Sequence, residues 1–168
     1  LTSVEAFMGE INQCSSAQYD NDIRFLEYTG DSYYCDGELN ASVKIQNYGT
    51  NTFFPVVQGY QIASIQTLIN NSVVNETAID SSLILETYQV AEINLGIISN
   101  IPENANISFH VEYGSDIPTI MIGDENQENN ELSPEITGSV TTSENISLYL
   151  LTDNWGEETS WDLTNSDG

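Results

Sequence analysis

The sequence predicts an all-β protein folded as an antiparallel β-sandwich. Residues Leu39–Asn47 alternate strictly between apolar and polar side chains, which is the pattern of a strand with one buried face. Further short apolar runs follow about every ten residues with Asn, Gly and Ser between them, which is typical of a sandwich. An apolar fraction of 39%, including nine Tyr and five Phe, is enough for a packed core.

The elements follow in order along the chain. A first strand is expected over residues 22–28, and residues 47–51 form a turn cluster after the alternating strand. Only residues 4–11 would tolerate a short helix. Strands are further expected at residues 56–65, 64–74, 82–90 and 107–113.

The composition changes near Asp124, where residues 123–131 are polar, acidic and free of β-branched side chains. We expect an exposed connection there. Two more short strands, at residues 146–151 and 160–163, form a C-terminal β-hairpin or a partial second sandwich. The predicted organisation is therefore an N-terminal extension (1–20), a β-sandwich (21–131), and a linker with the start of a second β module (132–168).

The net charge is the most unusual property of the composition. Arg24 and Lys44 stand against twenty-six Asp and Glu residues, so the formal net charge is −24. A phosphate backbone or an anionic membrane surface is held by Lys and Arg, so neither nucleic acid nor such a membrane is an expected partner. No run of eighteen apolar residues is present, so we expect no membrane insertion. The start lacks a signal peptide and an initiating Met, and an internal or processed fragment is expected.

The two cysteines, Cys14 and Cys35, lie on either side of the first predicted strand. With no third Cys and no His nearby, a zinc site lacks ligands. We favour an extracellular disulfide, which would close a loop of about twenty residues and contribute roughly 3 kcal/mol. The alternative is two reduced cysteines that serve as small apolar side chains.

Three motifs resemble one family of secreted proteins. Residues 43–50 read V-x-I-x-N-x-G-T after the strand at 22–28 and Cys35, and residues 124–130 read D-x-N-x-x-N-N. Residues 152–163 are similar to T-D-N-Y-(P/G)-x-E-T-(S/T)-W-x-L, which opens a further module in the same proteins. Together these motifs resemble the immunoglobulin-like modules, including CARDB-like (cell-adhesion-related) domains, of secreted and cell-surface Bacteroidota proteins.

The resemblance implies an immunoglobulin-like β-sandwich within a long extracellular polypeptide. Such modules occur behind secreted metalloproteases and within surface adhesins, so the resemblance leaves the type of parent protein open. It provides no catalytic residues for this chain.

The residues themselves also argue against catalysis. His110 is the only histidine, and the alternation of its strand places it opposite the apolar face. No Gly-x-Ser-x-Gly elbow is present, and one histidine cannot form His-Glu-x-x-His. Among so many acids, a neighbouring pair such as Glu157 and Glu158 does not identify a glycosidase. We therefore predict a chain that is not an enzyme.

Calcium is the one ligand that the composition favours, because it binds hard oxygen ligands. Two acidic loops supply such ligands, although neither has the spacing of an EF-hand. The alternative is that both loops are solvated acidic turns that bind no metal ion. The candidate calcium ligands are Asp124, Asn126, Glu128, Asp153, Asn154 and Glu157.

The C-terminal segment holds apolar residues that cannot fold alone, because a single hairpin buries little area against its ordering entropy. We expect it to pack on the first domain or on another chain. The expected contact residues are Leu148, Leu150, Trp155 and Trp161.

The function predicted from the sequence is that of a non-catalytic extracellular module, structural or adhesive, whose partners are other modules of its polypeptide or neighbouring copies. One alternative is an accessory domain of a secreted protease or glycan-degrading enzyme. Another is a subunit of an extracellular filament that assembles by strand addition.

Overall fold

A computed structural model describes residues 16–138 of the 168-residue chain. This part contains eleven β-strands and one short 3-10 helix, at Gln127–Asn129. The strands are β1 (Ile23–Tyr28), β2 (Tyr33–Tyr34), β3 (Leu39–Asn47), β4 (Val56–Val57), β5 (Tyr60–Gln61), β6 (Ala63–Ile69), β7 (Ser72–Ala78), β8 (Val90–Ile98), β9 (Ile107–Tyr113), β10 (Glu131–Leu132) and β11 (Thr137–Gly138).

Two antiparallel sheets form the body of the fold. One has the strand order β1-β3-β8, and the other has the order β10-β9-β6-β7. Strands β4 and β5 form a small hairpin, and β11 runs parallel to β2. In the strand letters used for immunoglobulin domains, the sheet β1-β3-β8 corresponds to strands A, B and E. The sheet β10-β9-β6-β7 corresponds to strands G, F, C and C′. The predicted immunoglobulin-like antiparallel β-sandwich is confirmed.

The core lies between the two sheets and follows the alternation of the strands. In β3 the side chains of Leu39, Ala41, Val43 and Ile45 are all buried, while the intervening residues are half-buried or exposed. Aromatic pairs join the sheets and loops, with the Tyr28 and Phe109 rings stacked at 5.5 Å between centroids. The alternation that predicted β3 and β9 exists because one face of each strand meets this core.

Two expected strands are each interrupted by a tight turn. The run at 56–65 is divided by Gln58 and Gly59, whose φ angles are 52° and 85°. The run at 64–74 is divided by Asn70 and Asn71, at 50° and 63°. Left-handed residue pairs are the geometry of two-residue hairpin turns. The run at 56–65 therefore contains the β4–β5 hairpin and the start of β6, and the run at 64–74 lies on both arms of the β6–β7 hairpin.

The strand expected at 82–90 is wrong. Those residues form turns and an isolated bridge between Leu85 and Phe53, and the strand β8 begins only at Val90. The strands at 22–28, 39–47 and 107–113 are confirmed to within one residue.

Strand pairing continues to the last described residue. The boundary predicted at residue 131 falls within β10, which pairs with β9, and β11 at 137–138 pairs with β2. The possible helix at 4–11 and the two C-terminal strands lie outside the described residues. No helix within residues 16–138 is long and apolar enough to span a membrane.

Candidate functional site

The clearest polar site is a group of buried and half-buried side chains at the end of the sandwich where β3 finishes at Asn47. Asp22 precedes β1 and is fully buried, and it faces the loop between β9 and β10. We name this group the Asp22 cluster, which consists of Asp22, Asp124, Asn126, Asn129 and Asn130.

Each carboxylate oxygen of Asp22 accepts a hydrogen bond from an asparagine amide. The donors are Asn129 Nδ2, at 2.9 Å, and Asn126 Nδ2, at 3.2 Å. The backbone oxygen of Asp22 accepts from the N–H groups of Tyr48 and Gly49. Asp22 therefore ties the first strand to the loop at 124–130 and to the turn after β3.

Asp124 makes a second set of contacts to the main chain. Its Oδ2 accepts from the N–H of Ile23 at 2.9 Å, and its Oδ1 accepts from the N–H of Asn126 at 2.9 Å. Asn130 is 2% exposed, and its amide nitrogen, when oriented to donate, lies 3.0 Å from the backbone oxygen of Ile23. The loop is thus anchored on both sides of the start of β1.

Burial changes the acidity of this site. Desolvation raises the pKa of Asp124, and the charge of Asp22 raises it further, against the lowering effect of the N–H donors. Burial, and secondarily the charge of Asp124, raises the pKa of Tyr113 to about 12. Two carboxylates therefore share a poorly solvated site whose donors are amides.

The expectation that residues 123–131 form an exposed connection is wrong in part. Glu125 and Glu128 are exposed, but Asn130 is buried and Asp124 is half-buried. An amide and a carboxylate can be buried here because their hydrogen bonds are satisfied by the main chain and by each other. The loop closes one end of the core.

The predicted calcium ligands are distributed unevenly. Asp124 and Asn126 belong to the Asp22 cluster, Glu128 is exposed, and Asp153, Asn154 and Glu157 lie outside the described residues. Within residues 16–138, no three His, Cys, Asp or Glu side chains are grouped so as to hold a metal ion. A calcium site remains a prediction.

The turn after β3 uses two residues of the V-x-I-x-N-x-G-T motif. Asn47 is 1% exposed, and its Nδ2 donates to the backbone oxygens of Asn51 and Leu85, each at 2.8 Å. Its Oδ1 accepts from Gly49 N–H at 3.0 Å. A Cβ on Gly49 would lie 2.6 Å from Asp20 O, so only glycine lets residues 20–22 pack against this turn.

His110 lies on the outer face of the β10-β9-β6-β7 sheet, as the alternation predicts. It is cross-strand from Glu131 and Gln66, and its Nε2 is 3.5 Å from Oε1 of Glu112. Its surroundings are carboxylates and an amide on an open sheet face. No serine or cysteine nucleophile is among the contacts described for it.

Cys35 is exposed at the opposite end of the sandwich, where its N–H pairs with Glu38 O. It has no disulfide in the structure. Its expected partner, Cys14, lies outside the described residues, so the pairing remains a prediction. The expected contact residues Leu148, Leu150, Trp155 and Trp161 also lie outside them.

The sequence interpretation missed Asp22 and Asn130 as members of the site, and it considered Asn129 only as one of the oxygen-bearing side chains of the acidic loop. The two asparagines are letters of the D-x-N-x-x-N-N motif and could have been selected on that basis. Asp22 carries no such signal, because its partners are about a hundred residues away along the chain.

Comparison with known proteins gives a likeness of fold only. No protein-family model matches the sequence, and no curated protein matches it. A solution NMR structure of a CARDB domain from Pyrococcus furiosus has a TM-score of 0.48 and 13% identity, covering 72% of this chain and 97% of that one. A crystal structure of a CARDB domain from the same organism, in complex with di-metal ions, has a TM-score of 0.49 and 13% identity, covering 74% and 93%. At these values neither structure indicates what the present chain binds.

Proposed function

We propose that this chain is a non-catalytic immunoglobulin-like module of a larger secreted or cell-surface polypeptide, with a structural or adhesive role. Its partners would be neighbouring modules or other copies. The resemblance to modules of secreted Bacteroidota proteins, including the C-terminal segment at 152–163, supports this setting.

The observation that carries the proposal is the set of hydrogen bonds accepted by the two carboxylates of the Asp22 cluster. Both oxygens of Asp22 and both oxygens of Asp124 accept hydrogen bonds from the protein itself. A general base needs a lone pair directed at a substrate proton. These carboxylate oxygens instead accept hydrogen bonds from the loops that they join, which is a structural use of the two side chains.

Hydrolase assays on the full chain test the absence of catalysis. We expect no turnover of peptide, ester or glycan substrates by the wild type. The matched variants are His110→Ala and Asp124→Asn, which remove the only histidine and, among the carboxylates of residues 16–138, the one whose pKa is raised. Turnover that disappears in either variant, while its fold is retained by circular dichroism, would overturn the proposal.

Strand addition at β7 is a second candidate function. Strand β7 is at the edge of its sheet, pairs with β6 in the described part of the chain, and is exposed along nearly all its length. Val73 and Val74 are 54% and 51% exposed on it. An edge with exposed valines and few charges favours pairing with a strand from another copy.

Electron microscopy and sedimentation of the full chain test strand addition. If β7 is the joining edge, Val74→Lys abolishes filaments, because a lysine at an edge opposes further pairing. Val90→Lys is the matched control, since Val90 is similarly exposed on β8, the edge of the other sheet. Equal loss in both variants, or filaments unaffected by Val74→Lys, would exclude β7 as the joining edge.

A further inference from the structure

The chain leaves the described part of the sandwich through a segment that is held to the body of the fold. Leu132 and Ile136 are half-buried and pack against the core. After them β11 pairs in parallel with β2, and the N–H of Thr137 donates to the backbone oxygen of Ser32 at 3.0 Å. Residues 132–138, expected from the sequence to begin a linker, are therefore attached to the sandwich up to the last described residue.

Gly138 lies directly against the ring of Tyr34, its partner residue on β2. A Cβ added at Gly138 would lie 2.6 Å from Cζ and 2.6 Å from the hydroxyl oxygen of Tyr34, well inside the usual separation of non-bonded atoms. The φ angle of Gly138 is not left-handed, so the glycine is needed for space and not for an unusual backbone conformation. A glycine within a strand is typical of a place where another group approaches closely.

The ring of Tyr34 is not free to move aside. The side chain is 4% exposed and belongs to the core. Its hydroxyl donates to the backbone oxygen of Pro102 at 2.8 Å and accepts from the N–H of Ala105 at 3.3 Å. Moving the ring would break both hydrogen bonds and leave polar groups unpaired, which costs free energy. A larger residue at position 138 must therefore displace β11 instead.

We propose that Tyr34 and Gly138 form a clamp that fixes the direction in which the chain leaves the sandwich. A fixed exit transmits the orientation of the sandwich to the segment that follows, whereas a free exit lets the two turn independently. The fixed exit stands on the contacts of the described residues alone. Its use, which is to set the angle between neighbouring modules of one polypeptide, rests on the proposed function.

The ¹⁵N relaxation of the full chain tests the clamp, because backbone order parameters are about 0.85 for a rigid site and below about 0.6 for a flexible one. We expect a value of about 0.85 at Thr137 in the wild type and a value below about 0.6 in Gly138→Ala. Gly123→Ala is the matched control, since no atom lies within 4 Å of the Cβ that it adds, and Thr137 should keep its value there.

Two results would overturn the clamp. One is a flexible Thr137 in the wild type, and this measurement decides the point even if Gly138→Ala does not fold. The other is a Thr137 that stays rigid in a folded Gly138→Ala. A flexible exit would leave the proposed non-catalytic module unaffected, and turnover in the hydrolase assays would leave the clamp unaffected, so the two proposals fail separately.

A second background tests whether Tyr34 is the residue that holds the exit. Tyr34→Phe removes the hydroxyl and with it the two hydrogen bonds that keep the ring in place. In that background the ring can yield to the added methyl group, so Gly138→Ala should lower the order parameter of Thr137 by less than it does with Tyr34 present. An equal loss in both backgrounds would assign the fixed exit to other contacts and would also overturn the inference.

Discussion

Thr67 places a hydroxyl group in the middle of an apolar core. It is fully buried on β6, where its cross-strand neighbour Phe109 also faces the core. Its Oγ1 has no hydrogen-bond partner in the described part of the chain. A hydroxyl transferred from water to such a site loses its hydrogen bonds to water and gains none.

Replacing Thr67 with valine should therefore stabilise the protein. Valine has nearly the same shape and removes the unpaired oxygen, and we expect the free energy of unfolding in urea to rise by about 1 kcal/mol. Ser64→Ala on the same strand is the matched control, because Ser64 Oγ donates to Glu76 Oε1 at 2.7 Å and its loss should destabilise. If Thr67→Val destabilises as well, the Thr67 hydroxyl has a hydrogen-bond partner in the folded protein, which would contradict the prediction.

Asp124 makes the stability of the Asp22 cluster depend on pH. Its pKa is raised in the folded protein above the usual value of 3.8, first by desolvation and then by the charge of Asp22. A raised folded pKa means that the folded state holds the proton more tightly than the unfolded state. The resulting stabilisation is complete below pH 3.8 and disappears as the pH rises through the folded pKa.

Urea unfolding of the wild type and Asp124→Asn across this pH range tests the linkage. Relative to the variant, the wild type should gain stability as the pH falls from neutral to below 4, since asparagine does not titrate. Glu103→Gln, at an exposed position, controls for the change in net charge. A difference between wild type and Asp124→Asn that stays constant with pH would contradict the raised pKa.

The turn after β3 is an element whose geometry depends on one glycine. Adding a methyl group at Gly49 would place a carbon 2.6 Å from Asp20 O and 2.8 Å from Asp22 N. Both atoms belong to the main chain, so they cannot move away as a flexible side chain would. The segment that leads into β1 would have to separate from the turn.

Gly49→Ala should thus lower the free energy of unfolding by about 2 kcal/mol or more, as substitutions that strain a packed backbone do. Gly123→Ala is the control in a loop near the same end, because no atom lies within 4 Å of the Cβ it would add. Thermal melting of both variants beside the wild type gives the comparison. Equal melting temperatures for the two variants would show that the turn tolerates the methyl group.

Local patterns predict the strands that meet the core regularly, and they fail where the chain departs from period two. The sequence predicts β3 because every second residue is apolar and faces the core. It does not predict β8. Strand β8 contains a register shift opposite Ala41 and Ser42, and Gly96 there has a φ of 76°. The hairpin turns at 58–59 and 70–71 were missed because Gln-Gly and Asn-Asn were not recognised as turn pairs.

The site was predictable only to the extent that it lies in one loop. Asp124 and Asn126 were selected because oxygen-bearing side chains cluster there in the sequence. Their structural role depends on Asp22, a residue that only the folding of the two sheets brings to the loop. A pattern within a short window carries no information about such a distant partner.

At the scale of the whole molecule, charge is distributed with little compensation. Lys44 pairs with Glu27, and Arg24 lies over the ring of Tyr48 with its Cζ 3.7 Å from the centroid. Both cations of the chain are thus engaged on the face of one sheet. With two cationic side chains against twenty-six carboxylates, most carboxylates of the chain have no lysine or arginine to pair with.

Added salt should stabilise the full chain. Raising NaCl from about 0.05 M to about 1 M shortens the Debye length from more than 10 Å to about 3 Å and screens the repulsion among carboxylates. We expect the urea midpoint to rise, with most of the increase below about 0.3 M, where screening changes fastest. A repeat in KCl checks that ionic strength, and not a particular cation, is responsible, and a flat or falling midpoint would contradict the prediction.

The described chain enters at one end of the sandwich and leaves at the other, which has a mechanical consequence. Residues 16–22 lie at the Asn47 end, and β11 leaves past β2 at the Cys35 end. When the module is pulled at residues 16 and 138, the force runs along the strands and loads the bonds of β1 with β3 and of β2 with β11 in shear. Bonds loaded in this way stretch together and must break at once, so the fold should resist tension far better than one pulled open strand by strand from an edge.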